Sequence, residues 1–288
     1  MNIRKMTLSI ILLATTTFAS ANVAKVVYGD DNRKDLFEVT NTMHSEVALS
    51  TAAQIYDNKI KATDGGFKIV GSTLAESGVC SDQKFANQVT GANCSGFLVR
   101  EDLLVTAGHC MKSSRNCRNA KWVFDYAVTQ QGQTEHIIDP SSVYSCVEIV
   151  EQSLNRSTQD DYALIRLDRS VTDRRPLTFR RRGKISNNEE IFVVGHPTGL
   201  PTKVADDAFV RVNHKEKYFS TNLDTFGGNS GSAVFNATTG DVEGILVRGE
   251  TDYTYKSGLG CKVPKFCSMT GCRGEDVTRI TNIKKLQR

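Results

Sequence analysis

The sequence predicts an all-β protein, built as a barrel or a sandwich. Short runs rich in Val, Ile and Phe recur along its 288 residues, and Gly, Asn, Asp and Ser separate them. Many short strands joined by turns produce this pattern. The clearest runs are Gly96-Phe97-Leu98-Val99, Leu103-Leu104-Val105, Trp122-Val123-Phe124, Ala163-Leu164-Ile165-Arg166-Leu167, Ile191-Phe192-Val193-Val194 and Gly244-Ile245-Leu246-Val247. A chain of this length can form one large domain or two modest ones, each with its own core. Helical periodicity is strongest between Asp35 and Ile55, where Leu36, Val39, Met43, Val47 and Ile55 would share one face. Arg174, Arg175, Arg180, Arg181 and Arg182 cluster around Pro176 and read as a solvated connection between two halves.

The N-terminus points to export. Arg4 and Lys5 form a charged start, Met6 to Phe18 is an apolar stretch of signal-peptide length, and Ala19-Ser20-Ala21 offers a small-x-small cleavage pattern. Residues 1–21 are therefore expected to be removed, leaving Asn22 first. The apolar run is shorter than the roughly 20 residues of a spanning helix, and threonines interrupt it. The full chain carries +4, and loss of Arg4 and Lys5 leaves about +2. So small a charge gives no nucleic-acid footprint. Once the signal is gone no membrane attachment is expected, and the protein is expected to act as a monomer in a periplasm or outside the cell. Eight cysteines, at 80, 94, 110, 117, 146, 261, 267 and 272, lie downstream of the signal. An even number in an exported chain favours disulfides. A zinc site is not expected, because no Cys-x-x-Cys pair occurs.

Three stretches carry chemistry. In Gly227-Gly228-Asn229-Ser230-Gly231-Ser232, a serine among glycines can sit on a sharp turn with its Oγ exposed. The small neighbours let a substrate carbonyl approach the amides of Gly228 and Ser230, a candidate oxyanion hole. A serine hydroxyl is a poor nucleophile without a neighbouring base. Val105-Thr106-Ala107-Gly108-His109-Cys110 supplies an imidazole at the end of an apolar run, beside a cysteine. Asp160-Asp161-Tyr162-Ala163-Leu164-Ile165 brings a carboxylate to the start of an apolar strand, where it is costly to bury unless paired. Asp161 leads directly into the strand and is preferred to Asp160. The histidines at 44, 136, 196 and 214 are read as structural.

Together, T-A-G-H-C, D-Y-A-L and G-G-N-S-G-S resemble the chymotrypsin-like serine peptidases, in that family's His, Asp, Ser order, over roughly Ile69 to Ile283. The resemblance implies two antiparallel six-stranded β-barrels with the active site in the cleft between them. It implies His109 as general base, Asp161 as its orienting partner, Ser230 as nucleophile, and the amides of Gly228 and Ser230 as oxyanion donors. It also implies a disulfide between Cys94 and Cys110, bracketing the histidine loop. The other six cysteines leave several pairings open. Cys117 with Cys146 fits one half of the chain, and the trio Cys261, Cys267 and Cys272 must reach outside itself, to a residue such as Cys80. On this reading residues 22–68 form an N-terminal extension or pro-segment, 69–172 the first barrel with His and Asp, and 173–288 the second with Ser.

Asn229 and Ser232 look like the bacterial, glutamyl-endopeptidase-type branch, and Val27-Tyr28-Gly29-Asp30-Asp31-Asn32-Arg33 resembles the start of its mature chains. By that analogy a cut after Lys25 exposes Val26. Lys68-Ile69-Val70-Gly71 resembles the activation site of the animal enzymes, but Asn229 stands where they keep an aspartate and offers no charge to a new amine. Two further residues bear on specificity. Asp224, six residues before Ser230, matches the pocket-floor carboxylate of trypsin-like enzymes and implies preference for Arg or Lys. Leu246 falls where the glutamyl branch keeps a pocket histidine, which argues against glutamate. The expected protein is thus a secreted serine endopeptidase needing no cofactor, whose partners are protein or peptide substrates. The competing expectation is a catalytically silent protease fold used for binding or adhesion, which should lack a triad side chain.

Overall fold

A computed structural model of the chain describes residues 26–287. The expected signal segment and Lys25 lie outside the described residues. Two closed antiparallel barrels of six strands account for most of the fold. The first closes in the spatial order Val143–Asn155, Asp160–Leu167, Leu103–Thr106, Cys94–Arg100, Thr51–Tyr56 and Ala120–Val123. The second runs Glu190–Gly195, Ala233–Asn236, Val242–Arg248, Glu275–Arg279, Tyr218–Thr221 and Lys203–Val212, then returns to Glu190–Gly195.

The continuous apolar runs have a direct cause. Strand side chains alternate between faces, and here both faces are buried. Leu98, Leu104, Ala163 and Ile165 point into the first barrel with Trp122 and Phe124. Their neighbours Phe97, Val99, Val105 and Leu164 face the other way, into a cluster shared with Phe192, Val194, Phe235, Ile245 and Val247 of the second barrel. Ile191, Val193, Val234, Leu246 and Val277 alternate with the latter and fill the second barrel. The seam between barrels is therefore a hydrophobic core in its own right, which fixes the cleft above it.

Two expectations change. The boundary at residue 69 falls too late, because Thr51–Tyr56 is a strand of the first barrel and pairs with Cys94–Phe97. The expected helix over 35–55 is confined to Thr42–Ala48, capped by Asn41, whose Oδ1 accepts from the Met43 N–H at 3.0 Å. Leu36, Val39, Met43 and Val47 do share a face against the seam. Ile55 lies instead on the strand, where burial on both sides and ladder pairing outweigh helical propensity. The arginine-rich connection is also less solvated than its composition suggests. Arg174 is clamped by Asp125 and Asp173 and lies over the Phe124 ring, and Arg180 pairs with buried Glu243.

Four disulfides form: Cys80–Cys261, Cys94–Cys110, Cys117–Cys146 and Cys267–Cys272. The trio does reach out to Cys80. Such a set belongs to an oxidising environment. Among the described residues no helix is long and apolar enough to cross a membrane. Ile69 is buried at the end of a strand and donates its N–H to the His136 carbonyl at 2.9 Å, in the middle of a continuous chain.

Candidate active site

His109 sits in a single turn, Gly108–Cys110, at the end of the strand Leu103–Thr106. Three contacts hold that turn. Cys110 is joined to Cys94. The Gln152 side-chain amide donates to the carbonyls of Gly108 at 2.9 Å and Met111 at 2.7 Å. Asp161 Oδ1 accepts from the His109 N–H at 3.0 Å. Residue 108 must be glycine for this approach, since a Cβ there would stand 2.1 Å from the Ser153 carbonyl oxygen. The second Asp161 oxygen lies 2.8 Å from His109 Nδ1. A carboxylate only accepts, so Nδ1 carries the proton and the Nε2 lone pair is left as the basic site. Asp161 is 6% exposed, which keeps the imidazole oriented against competing water. Asp160 turns the other way, to Asn282.

The Ser230 loop belongs to the second barrel yet is tied to the first. The Ser95 N–H donates to the Ser230 carbonyl at 2.8 Å. The Ser95 hydroxyl donates to the Gly228 carbonyl at 2.9 Å and accepts from the His196 N–H at 3.0 Å. The Ser230 carbonyl also lies 3.7 Å from Cys110 Sγ, one residue from His109. One strand, Cys94–Arg100, thus carries both the disulfide to the histidine turn and the bonds to the serine loop. Cys94, His109 and Cys110 bring their ligating atoms within 4.8 Å of one another, but the two sulfurs are bonded to each other and offer no thiolate to a metal.

A profile of the trypsin-like peptidase domain matches residues 94–245, more than half of the chain. The chain belongs to the trypsin-like peptidase family. The peptidase is similar in fold to the VesB protease of Vibrio cholerae, at 14% identity and a TM-score of 0.50, over 88% of this chain and 65% of that one. A Glu endopeptidase aligns at 16% identity and a TM-score of 0.47, over 85% of this chain and 95% of that one. The Rv3671c protease of M. tuberculosis in its active form gives 13% and 0.49, over 95% and 92%. At such identities the likeness concerns the fold alone. Among curated proteins, none matches by sequence.

Beside Ser230 the peptidase has a narrow cavity of about 90 Å³, walled by Thr225–Gly227 on one side and Leu246–Glu250 on the other. Leu246 is one of its lining residues. Asp224 is not, and its expected place at the pocket floor is corrected. Its carboxylate turns to the N-terminal strap, accepting from the N–H groups of Tyr28 at 2.7 Å and Asn32 at 3.1 Å. The strap, residues 26–35, is itself well anchored. Val27–Tyr28 pairs with Phe266–Cys267, and buried Arg33 binds Asp31 while lying 4.1 Å over the Phe226 ring. Burial raises the Asp224 carboxyl to about 7. Replacing Asp224 by alanine orphans the buried Tyr28 amide, at about 1–3 kcal/mol, and the part-buried Asn32 amide at less. The expected result is a lower Tm, with hydrogen exchange accelerating first at Tyr28 and Asn32.

Three acids line the cavity, Glu250, Asp252 and Glu275, and the most buried of them, Glu275, is one that motif reading did not single out. It is 3% exposed. Its oxygens accept from the Thr225 hydroxyl at 2.6 Å and the Glu250 N–H at 3.0 Å, and burial raises its carboxyl to about 7. Asp252 also lines the cavity and accepts from the Gly227 N–H at 2.7 Å. Ser95 and Gln152 were missed as well. The only signal for Ser95 was its place after Cys94, and for Gln152 there was none.

Proposed function

We propose that this peptidase is an exported serine endopeptidase that cleaves after Arg or Lys, with Ser230, His109 and Asp161 as its triad. The observation that carries the reading is the double contact of Asp161 with the His109 backbone and ring, on the turn whose disulfide strand also binds the Ser230 loop. Ser230 Oγ attacks the scissile carbonyl carbon as His109 Nε2 takes its proton, and Asp161 stabilises the imidazolium. The N–H groups of Gly228 and Ser230 receive the negative oxygen. His109 then gives the proton to the leaving amine, so that the carbon–nitrogen bond breaks and an ester remains on Ser230. Water repeats the sequence with its proton on His109, releasing the acid and restoring the serine.

The preference for a basic residue rests on Glu275 in place of Asp224. An empty cavity favours the protonated carboxyl, whereas a guanidinium or ammonium brought against it replaces the lost hydration and favours the ion. Leu246 offers nothing to a glutamate side chain. Export is supported by the N-terminal pattern together with the four disulfides. Peptide-library cleavage by wild type beside Ser230→Ala tests the proposal. Cleavage after Arg and Lys that disappears in the variant supports it, and faster cleavage after Glu or Phe removes the basic preference.

A further inference from the structure

Thr198 stands at φ 53° and ψ 20°, inside the turn Pro197–Gly199. A β-branched residue is strained in this region, and such strain persists where the surroundings over-determine it. Two contacts do so here. Thr198 Oγ1 meets the Tyr253 hydroxyl at 2.7 Å, and the Thr198 N–H donates to the Gly227 carbonyl. Tyr253 is tilted against Phe226, a wall of the cavity, with ring centroids 5.2 Å apart. It follows Asp252, which accepts from the Gly227 N–H. The Asp252-Tyr253 dipeptide therefore holds Gly227 at both ends, directly at its nitrogen and through Thr198 at its oxygen.

That grip has a geometric consequence. In a trans peptide the carbonyl and the following N–H point to opposite sides. Drawing the Gly227 oxygen onto the 196–199 turn sends the Gly228 N–H away from that turn. Gly228, at φ 95°, lies flat on the turn, and a Cβ there would stand 2.5 Å from the His196 carbonyl oxygen and 2.7 Å from the Gly199 nitrogen. The next carbonyl along, that of Gly228, is held by the Ser95 hydroxyl. Three polar groups on either side of the Gly228 N–H, namely the Gly227 N–H and the carbonyls of Gly227 and Gly228, are thus fixed by protein partners.

We propose that Thr198 and Tyr253 are positioning residues that hold the Gly227–Gly228 peptide so that the Gly228 N–H is set as oxyanion donor before substrate arrives. The proposal rests on the reading of Ser230 as nucleophile. Losing an oxyanion donor outright costs about 10²–10³-fold in kcat, and a donor left in place but free to turn costs less. Tyr253→Phe and Thr198→Val should each lower kcat roughly tenfold, per site titrated with a fluorophosphonate, with KM for the same peptide within about twofold. Because both act through one contact, the double variant should fall little below either single one. Affinity for a peptide aldehyde, which forms the tetrahedral adduct, should fall with kcat, while affinity for the matching peptide alcohol, which cannot form it, should hold. Either single variant suffices if the other does not fold. Unchanged kcat in the folded variants, or equal loss of aldehyde and alcohol binding, overturns the proposal and leaves the triad reading standing. Failure of the fluorophosphonate to label wild type at Ser230 overturns both.

Discussion

Ser230→Ala is expected to lower kcat for peptide hydrolysis by roughly 10⁵-fold or more, with substrate binding retained. The hydroxyl is the bond-forming group, and what remains in the variant is the oxyanion site and the cleft. His109→Ala should fall to a similar floor, and combining it with Ser230→Ala should cost little more, since neither residue acts without the other. Asp161→Asn should cost about 10⁴-fold for a different reason. An amide facing Nδ1 favours the tautomer with its proton on Nε2, so the base is in place with its lone pair on the wrong side. Steady-state kinetics on one peptide with the three variants reads this directly. A Ser230→Ala protein with near-normal kcat would move the chemistry elsewhere.

The second large effect concerns selectivity. Glu275→Gln is expected to reduce the preference for an arginine peptide over its citrulline counterpart by about 10²–10³-fold, the loss expected when a buried cation is left without its partner. Asp224→Asn should leave that ratio within about twofold, because Asp224 is occupied by the strap. The pH dependence follows from the raised Glu275 carboxyl. Below about 7 Glu275 is protonated and must give up a proton to pair with a cation. Benzamidine affinity, measured on Ser230→Ala to separate it from catalysis, should therefore rise with pH through that value and then level off. In Ser230→Ala carrying Glu275→Gln the rise should vanish. Stability carries the opposite sign. A carboxyl whose folded value is raised adds stability that is present at acid pH and is lost as pH climbs through about 7, so Glu275→Gln should raise Tm more at pH 8 than at pH 5.

The residues hardest to read from sequence are those whose partners are far along the chain. His109, Asp161 and Ser230 are legible as candidates because each lies in a local motif, a turn after an apolar strand, a strand start, or a glycine loop. The glycines and turns that mark these motifs lie within a few residues of each, although Cys94, Gln152 and Ser95 secure them from farther along the chain. The offset of Asp224 from Ser230 was equally local, but its side-chain direction is set by Tyr28 and Asn32, 196 and 192 residues away along the chain. Glu275 opens a strand in Glu275–Arg279, where an acid reads as a solvent-facing residue, and only closure of the second barrel brings it to the same cavity as Leu246. The strand Thr51–Tyr56 was hidden for a similar reason. Its apolar residues continue the helical pattern that precedes them, and its ladder partners in 94–97 supply the deciding pairing. Continuous apolar runs, by contrast, were good guides, because the seam between barrels leaves those strands no wet face.

One measurement bears most directly on the chemistry: intact-protein and peptide mass spectrometry after treatment with a fluorophosphonate. A single adduct on Ser230, abolished in His109→Ala, is the predicted result, because the hydroxyl reacts at a useful rate only beside its base. Wild-type protein that takes up no reagent, or takes it up at another residue, would contradict the assignment of Ser230 as the nucleophile.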